Sequence, residues 1–439
     1  MSCSYRAPRN GVAAVVLMLC ASAASPALAE DIEQAPIRYA TAPVDNVVSR
    51  LLSRIEAGKT ELTREEGFGY VRSLLRELRV PESSQVLVFS KTSLQRQRIG
   101  PRTPRAIYFN DDVYVGFCRH GDVAEISAVD PRLGTVFYTL DQRAAAKPKL
   151  TRQTDACLIC HGSSQNEGFP GHLMRSVYPD AEGYPELAAG TYRIDQRSPL
   201  KERWGGWYVT GSAGGQPHLG NRIARDRANP RRLDDEPARE LADLRPLIDT
   251  SAYLTPHSDI AALMVLEHQT EMHNLIARAV LQTRLALHQE KELNREMANP
   301  VDYRFESTSR RIRSAGDALL QYMLFAGEPR LSARIEGTSS FAREFVRQGP
   351  RDSLGRSLRD LNLTSRLFSY PCSYLIYSSA FDALPQPVHD YVLERLWDVL
   401  TGKYSGAEFA HLSPVDRKAI LQILRETKSG LPKYWYAAG

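Results

Sequence analysis

Apolar and polar positions follow three regimes along the chain. Between residues 42 and 80, Val44, Val47, Val48, Leu51, Leu52 and Ile55 recur at helical spacing, which predicts two helices. In TREE, Thr63 and Glu66 have capping-box spacing, and Pro81 stops the second helix. From about 85 to 140 the pattern shortens. SQVLVFS, RAIYFN, DVYVGFC, VAEISAV and GTVFYTL are rich in β-branched and aromatic residues. NDD, RHGD and DPRLG separate several of them, which predicts an antiparallel sheet. Residues 165–235 are rich in Gly, Pro and polar residues, with one strand-like piece, RWGGWYVTG. From about 236 the chain reads helical. The longest helix runs from Ser258 to about Met297, and later ones fall near 308–327, 354–368, 386–401 and 413–429. The last has Ser413 as N-cap, Pro414 at the first helical position, Asp416 two residues on and Gly430 past its end. These elements predict an α+β fold, mainly helical, without internal repeats.

The N-terminus adds a compartment. Arg6 and Arg9 precede the apolar run GVAAVVLMLCASAAS, and ALA at 27–29 supplies a small-residue cleavage pattern. Together they predict a cleaved signal peptide over residues 1–29 and an exported, periplasmic protein. An uncleaved anchor is the competing reading. A lipid anchor at Cys20 is disfavoured by the bulky Leu19 before it. Cleavage after Ala29 leaves 54 basic and 51 acidic residues, net +3. That near-balance gives no case for nucleic acid. No later segment predicts a membrane span.

Six cysteines occur in 439 residues, and the predicted mature chain keeps Cys118, Cys157, Cys160 and Cys372. An exported disulfide scaffold would be much richer in them. Cys118 and Cys372 read equally as a pair or as two separate buried thiols. Cys157, Cys160 and His161 form C-x-x-C-H, the attachment pattern for c-type haem. The spacing has a chemical reason. Two thiols on one helical turn reach the two vinyl groups of a porphyrin, and the next residue turns an imidazole to the iron. Zinc would want a second ligand pair, and a thioredoxin-like site would want a βαβ setting. One motif implies one haem c, with covalent links at Cys157 and Cys160 and His161 as proximal iron ligand.

The opposite side of the iron decides between electron transfer and small-molecule chemistry. His172 and Met174 follow the motif too closely for the chain to round a porphyrin edge with ease. His218 has enough chain. His268 and His273 lie on the long predicted helix, where Ala261, Met264, Met272, Leu275 and Ala279 share the face of His268. His273 falls beside Ile276 and Val280. The distal candidates are therefore His268, His218 and His273, each weighed against an ordinary core histidine and against a methionine ligand. Glu267 and Glu271 flank them as orienting partners or solvated charges. Trp204, Trp207 and Tyr208 read as sheet core or as a porphyrin-facing wall.

CLICHGSS, PGHLMRSVYPD, RWGGWYVTG, HLGN and the C-terminal FAHLSPVDRKAILQILRETKSGLPKYW resemble a group of large exported bacterial proteins that carry one cytochrome c-type haem motif. The resemblance covers most of the mature chain. It implies haem binding, electron transfer and a redox partner protein, and it assigns no substrate. The domain reading that follows is a helix pair plus sheet over 30–150, a haem-attachment and loop-rich segment over 151–235, and a helical region over 236–439. A cytochrome c-like haem segment would then lie between the N-terminal antiparallel sheet and the C-terminal helices. The chain departs from small soluble cytochromes c in size and in lacking a clear distal methionine. A haem enzyme of the peroxidase or oxidase type, or a haem-based sensor, is the alternative function.

Overall fold

The computed structural model describes residues 32–145, 148–226, 228–233 and 240–436, so the predicted signal segment lies outside the described residues. Strands β1 (Val86–Val88), β2 (Arg105–Phe109), β3 (Val113–Phe117), β4 (Val123–Asp130), β5 (Gly134–Asp141) and β6 (Leu150–Gln153) follow one another. With β9 (Trp207–Tyr208) they form one antiparallel sheet, ordered β6-β5-β4-β3-β2-β1-β9. β7 (Arg175–Val177) and β8 (Thr191–Arg193) make a separate two-stranded ribbon.

Alternation sorts the two faces of the sheet. In β4, Ala124, Ile126 and Ala128 are buried while the residues between them are half-buried. With Val136, Tyr138 and Leu140 of β5 they meet Val48 and Leu51 of helix Val47–Glu56 and Leu74 of helix Val71–Glu77. Tyr114 and Phe109 instead join a second core with the long helix Ile260–Glu296 and the C-terminal helices Glu306–Met323, Gln386–Thr401 and Pro414–Thr427.

The long helix organises this second core. Its 37 residues extend about 55 Å. Asp259 caps it, accepting from the Ala261 amide at 2.8 Å with one oxygen and from the Thr338 and Ser339 amides with the other. Every residue from Ile260 to Ala277 is buried, because the sheet covers one side and other helices the rest. The helix packs tightly against the sheet at the β4–β5 turn. There Gly134 has φ +75°, and a Cβ on it would lie 2.7 Å from the Cβ of Ala277. Only glycine satisfies both demands at once.

The mainly helical fold with a cytochrome c-like haem segment is not what the chain forms. Helix makes up 37% and strand 14% of it, built on the seven-stranded antiparallel sheet. The CLICH turn, helix Leu158–His161, follows edge strand β6 after four residues. Two local expectations also change. Residues 354–368 form tight turns, not a helix. Gly355 and Leu363 take φ of +74° and +54°, and Asp352 holds the Arg356 amide at 2.8 Å. Thr63 caps no helix. Its amide donates to Ser73 Oγ at 3.0 Å, and the helix begins at Val71. Among the described residues, no helix is long and apolar enough to cross a membrane.

Candidate functional site

Cys157, Cys160 and His161 sit on one helical turn at the point where β6 ends. The His161 amide donates to the Cys157 carbonyl at 3.0 Å, and the Gly162 amide donates to that of Leu158 at 2.8 Å. Both thiols are free, Cys157 half-buried and Cys160 exposed. Ile159, between them, is 78% exposed. Leu158 turns inward and packs against the sheet–helix core. An i, i+3 pair of thiols therefore faces outward beside an uncovered apolar side chain, while the turn is anchored from behind.

His161 is oriented by a reciprocal pair of bonds with Gly171. The Gly171 amide donates to the His161 carbonyl at 3.0 Å, and His161 Nδ1 lies 2.8 Å from the Gly171 carbonyl. A carbonyl only accepts, so the ring proton sits on Nδ1 and the lone pair on Nε2. Asn166 Nδ2 adds a third bond, to the His161 carbonyl at 3.0 Å. The imidazole leans on Phe137 of β5, with ring centroids 4.8 Å apart. Burial lowers the His161 pKa, while the bond to Gly171 acts in the opposite sense.

The charged neighbours of this turn come from the sheet. Arg105 of β2 reaches across Gly116 to Glu125 of β4 at 2.8 Å, and Ser93 Oγ also donates to Glu125 at 3.1 Å. Burial pushes the Cys157 thiol up to about 11; Glu125 raises it further and Arg105 opposes this. The turn thus faces a paired charge set and not a net field.

The distal candidates lie in three other settings. His268 is fully buried, and both of its ring nitrogens are engaged. Nδ1 meets Gln196 Oε1, and Nε2 meets Ser373 Oγ at 2.7 Å. Tyr322 and Phe325 stack on its ring, with Phe368 and Tyr374 also against it. That is a satisfied core histidine. His273 Nδ1 is 2.8 Å from the Tyr114 hydroxyl, which also accepts from Gln269 Nε2 at 2.9 Å. The phenol proton is therefore left for His273 Nδ1, and Nε2 carries the ring proton. His218 accepts from the Gly220 amide at 3.1 Å and meets the edge of Trp204 at 5.3 Å. It belongs to the loop beyond β9, at the sheet edge opposite β6 in strand order. Trp204, Trp207 and Tyr208 are buried as sheet core, and Trp207 Nε1 donates to the Arg175 carbonyl at 2.8 Å. Glu267 is buried against Arg203 at 2.7 Å and Glu271 is held by Arg193 at 2.6 Å, so neither is a solvated helix charge.

Pattern reading did not reach Gly171 or Asn274. Asn274 lies 102 residues from His172, yet it holds that residue's main chain at both ends. No local spacing carries such a pairing. Among the described residues, no group of three or more His, Cys, Asp or Glu side chains gathers as a metal cage. Cys118 and Cys372 are free and buried, so they do not pair. Comparison with protein-family models, with curated proteins and with solved structures finds no match to this chain.

Proposed function

We propose that this chain is an exported protein that binds one haem covalently through Cys157 and Cys160, takes His161 as iron ligand, and carries out electron transfer with a redox partner protein. The observation that carries this reading is the state of His161. Its Nδ1–H is fixed on the Gly171 carbonyl at 2.8 Å, which leaves the Nε2 lone pair for a metal. Two free thiols on the same turn supply the attachment chemistry. Each S–H adds across one vinyl C=C, forming a C–S bond and placing the hydrogen on the neighbouring carbon, with no change in oxidation state. The exposed Ile159 supplies apolar surface for a ring edge. Bound iron would supply one-electron exchange between Fe(III) and Fe(II). The basic, apolar, small-residue order of residues 1–29 supports export.

The test is production in a bacterial host that attaches c-type haem. We expect haem that stays with the chain through denaturing electrophoresis, at one per chain, and that Cys157→Ser and Cys160→Ser together abolish. Haem-free protein from that host refutes the reading. A second reading, a haem enzyme or sensor with an open upper site, is favoured by His268, both of whose ring nitrogens are engaged. Carbon monoxide separates the two. An unmoved ferrous spectrum supports electron transfer, and a shifted one supports the open site.

A further inference from the structure

We infer that Asn274 of the long helix is the positioning residue for His161, acting through the 171–172 peptide. This rests on the proposal that His161 ligates haem iron. Asn274 Oδ1 accepts from the His172 amide at 2.7 Å, and its Nδ2 donates to the His172 carbonyl at 2.9 Å. One carboxamide thus grips both polar groups of a single residue, as a neighbouring strand would. The same peptide unit presents the Gly171 carbonyl to His161 Nδ1. The carboxamide is itself held, because Nδ2 also donates to Glu271 Oε2 at 3.0 Å and Glu271 is paired with Arg193 at 2.6 Å. His172 is locked on its other side by Ser127 Oγ at 2.9 Å and by the Tyr114 ring at 4.3 Å.

Gly171 fits this arrangement because a Cβ there would lie 2.5 Å from Asn274 Oδ1 and 3.1 Å from its Cγ. Asn274 cannot swing away without giving up its bonds. The absence of a side chain at 171 is therefore part of the clamp. A second strap runs beside it, from Arg278 one turn along the helix to Glu167 at 2.9 Å. The long helix consequently sets the angle and strength of the Gly171–His161 bond. A firm acceptor on Nδ1–H makes the imidazole a stronger donor and favours ferric iron.

The experiment uses the full-length holoprotein and two variants that disturb the clamp differently. Asn274→Leu removes both the acceptor for the His172 amide and the donor to its carbonyl, and adds no charge. Gly171→Ala keeps the carboxamide and displaces it. Thr283→Val is the control, because Thr283 is buried on the same helix with no partner for its hydroxyl. We expect both clamp variants to retain covalent haem and to shift the Fe(III)/Fe(II) ratio at fixed poise toward ferrous by roughly tenfold, or about 59 mV for a one-electron couple. Thr283→Val should match the parent. Clamp variants whose potentials equal the control overturn the role of Asn274 while leaving haem attachment standing. A parent chain without covalent haem fails the underlying reading instead.

Discussion

His161 and His268 were built by the same chain for opposite ends. His268 has the surroundings usually associated with a haem pocket: full burial, stacked aromatics and an apolar helix. Both of its nitrogens are nevertheless engaged. His161 is only half-buried and sits on a four-residue helix, yet it keeps one nitrogen free and orients it through the other. A dry setting alone therefore does not leave a nitrogen open to a metal. His161 has what His268 lacks, an unengaged nitrogen on a ring fixed through the other.

The strongest way to break this contrast is acid. Burial drives His268 and His273 down to about 3, and His172 also well below its ordinary value. In the unfolded chain these rings titrate near 6.5, so below that pH the unfolded state takes up protons that the folded state refuses. Stability falls as pH drops from about 6.5 toward about 3, by up to roughly 1.4 kcal/mol per unit for each histidine. Glu267 and Glu328, both raised to about 7 by burial, act in the opposite sense between about 4.5 and 7. Urea unfolding against pH should thus show a shallow decline that steepens below about 4.5. A profile that fails to steepen below about 4.5, where the two glutamates no longer compensate, would mean that these histidines are not buried and neutral.

A pair of substitutions sharpens the comparison further. His268→Ala removes a ring packed among four aromatics and strands Gln196 and Ser373, and should cost about 3–5 kcal/mol in urea unfolding while leaving the haem spectrum as it was. His161→Ala should cost about 1 kcal/mol, since one hydrogen bond and one ring contact are lost, yet it should remove the histidine-ligated spectrum while haem stays attached. The reverse outcome would make His268 the ligand.

Much of this was legible beforehand, for a physical reason. The strands of the sheet and the long helix announce themselves because their periodicity is local. Helix Gln386–Thr401 and the N-cap Ser413 with Pro414 at the first helical position fall where expected. The C-x-x-C-H turn is legible because its chemistry needs near neighbours. The fate of His268 was not, because Gln196 and Ser373 lie 72 and 105 residues away. The helical periodicity that placed it on an apolar stripe meant little in a helix buried on every side. Residues 354–368 misled for a related reason: Leu358, Leu367 and Phe368 are buried by turns folding back, not by one helical face.

The thiols offer a smaller effect. Cys372 is fully buried, and burial pushes the Cys118 thiol up to about 12. In haem-loaded mature protein neither should react with an alkylating reagent at neutral pH, and both should react once the chain is unfolded. Haem-free protein should add rapid labelling at the exposed Cys160. Labelling of Cys118 or Cys372 in the folded state would place a core opening where the structure shows packing.

The smallest expected effect concerns charge beside the motif. Glu125 and Arg105 are paired at 2.8 Å, and both act electrostatically on Cys157 and on His161. Glu125→Gln removes a negative charge and leaves Arg105 opposed by no carboxylate at that position. Ferric iron carries one more positive charge than ferrous, so the change should disfavour the ferric form and raise the potential. The shift should stay below that of the Asn274 variants, because the pair is only partly buried and solvent screens it. It should also shrink as salt is added, whereas a shift caused by turning the His161 ring should not. Measuring both variants at low and high ionic strength therefore separates field from geometry. A Glu125→Gln shift that is large and indifferent to salt would mean that Glu125 also fixes the position of the turn.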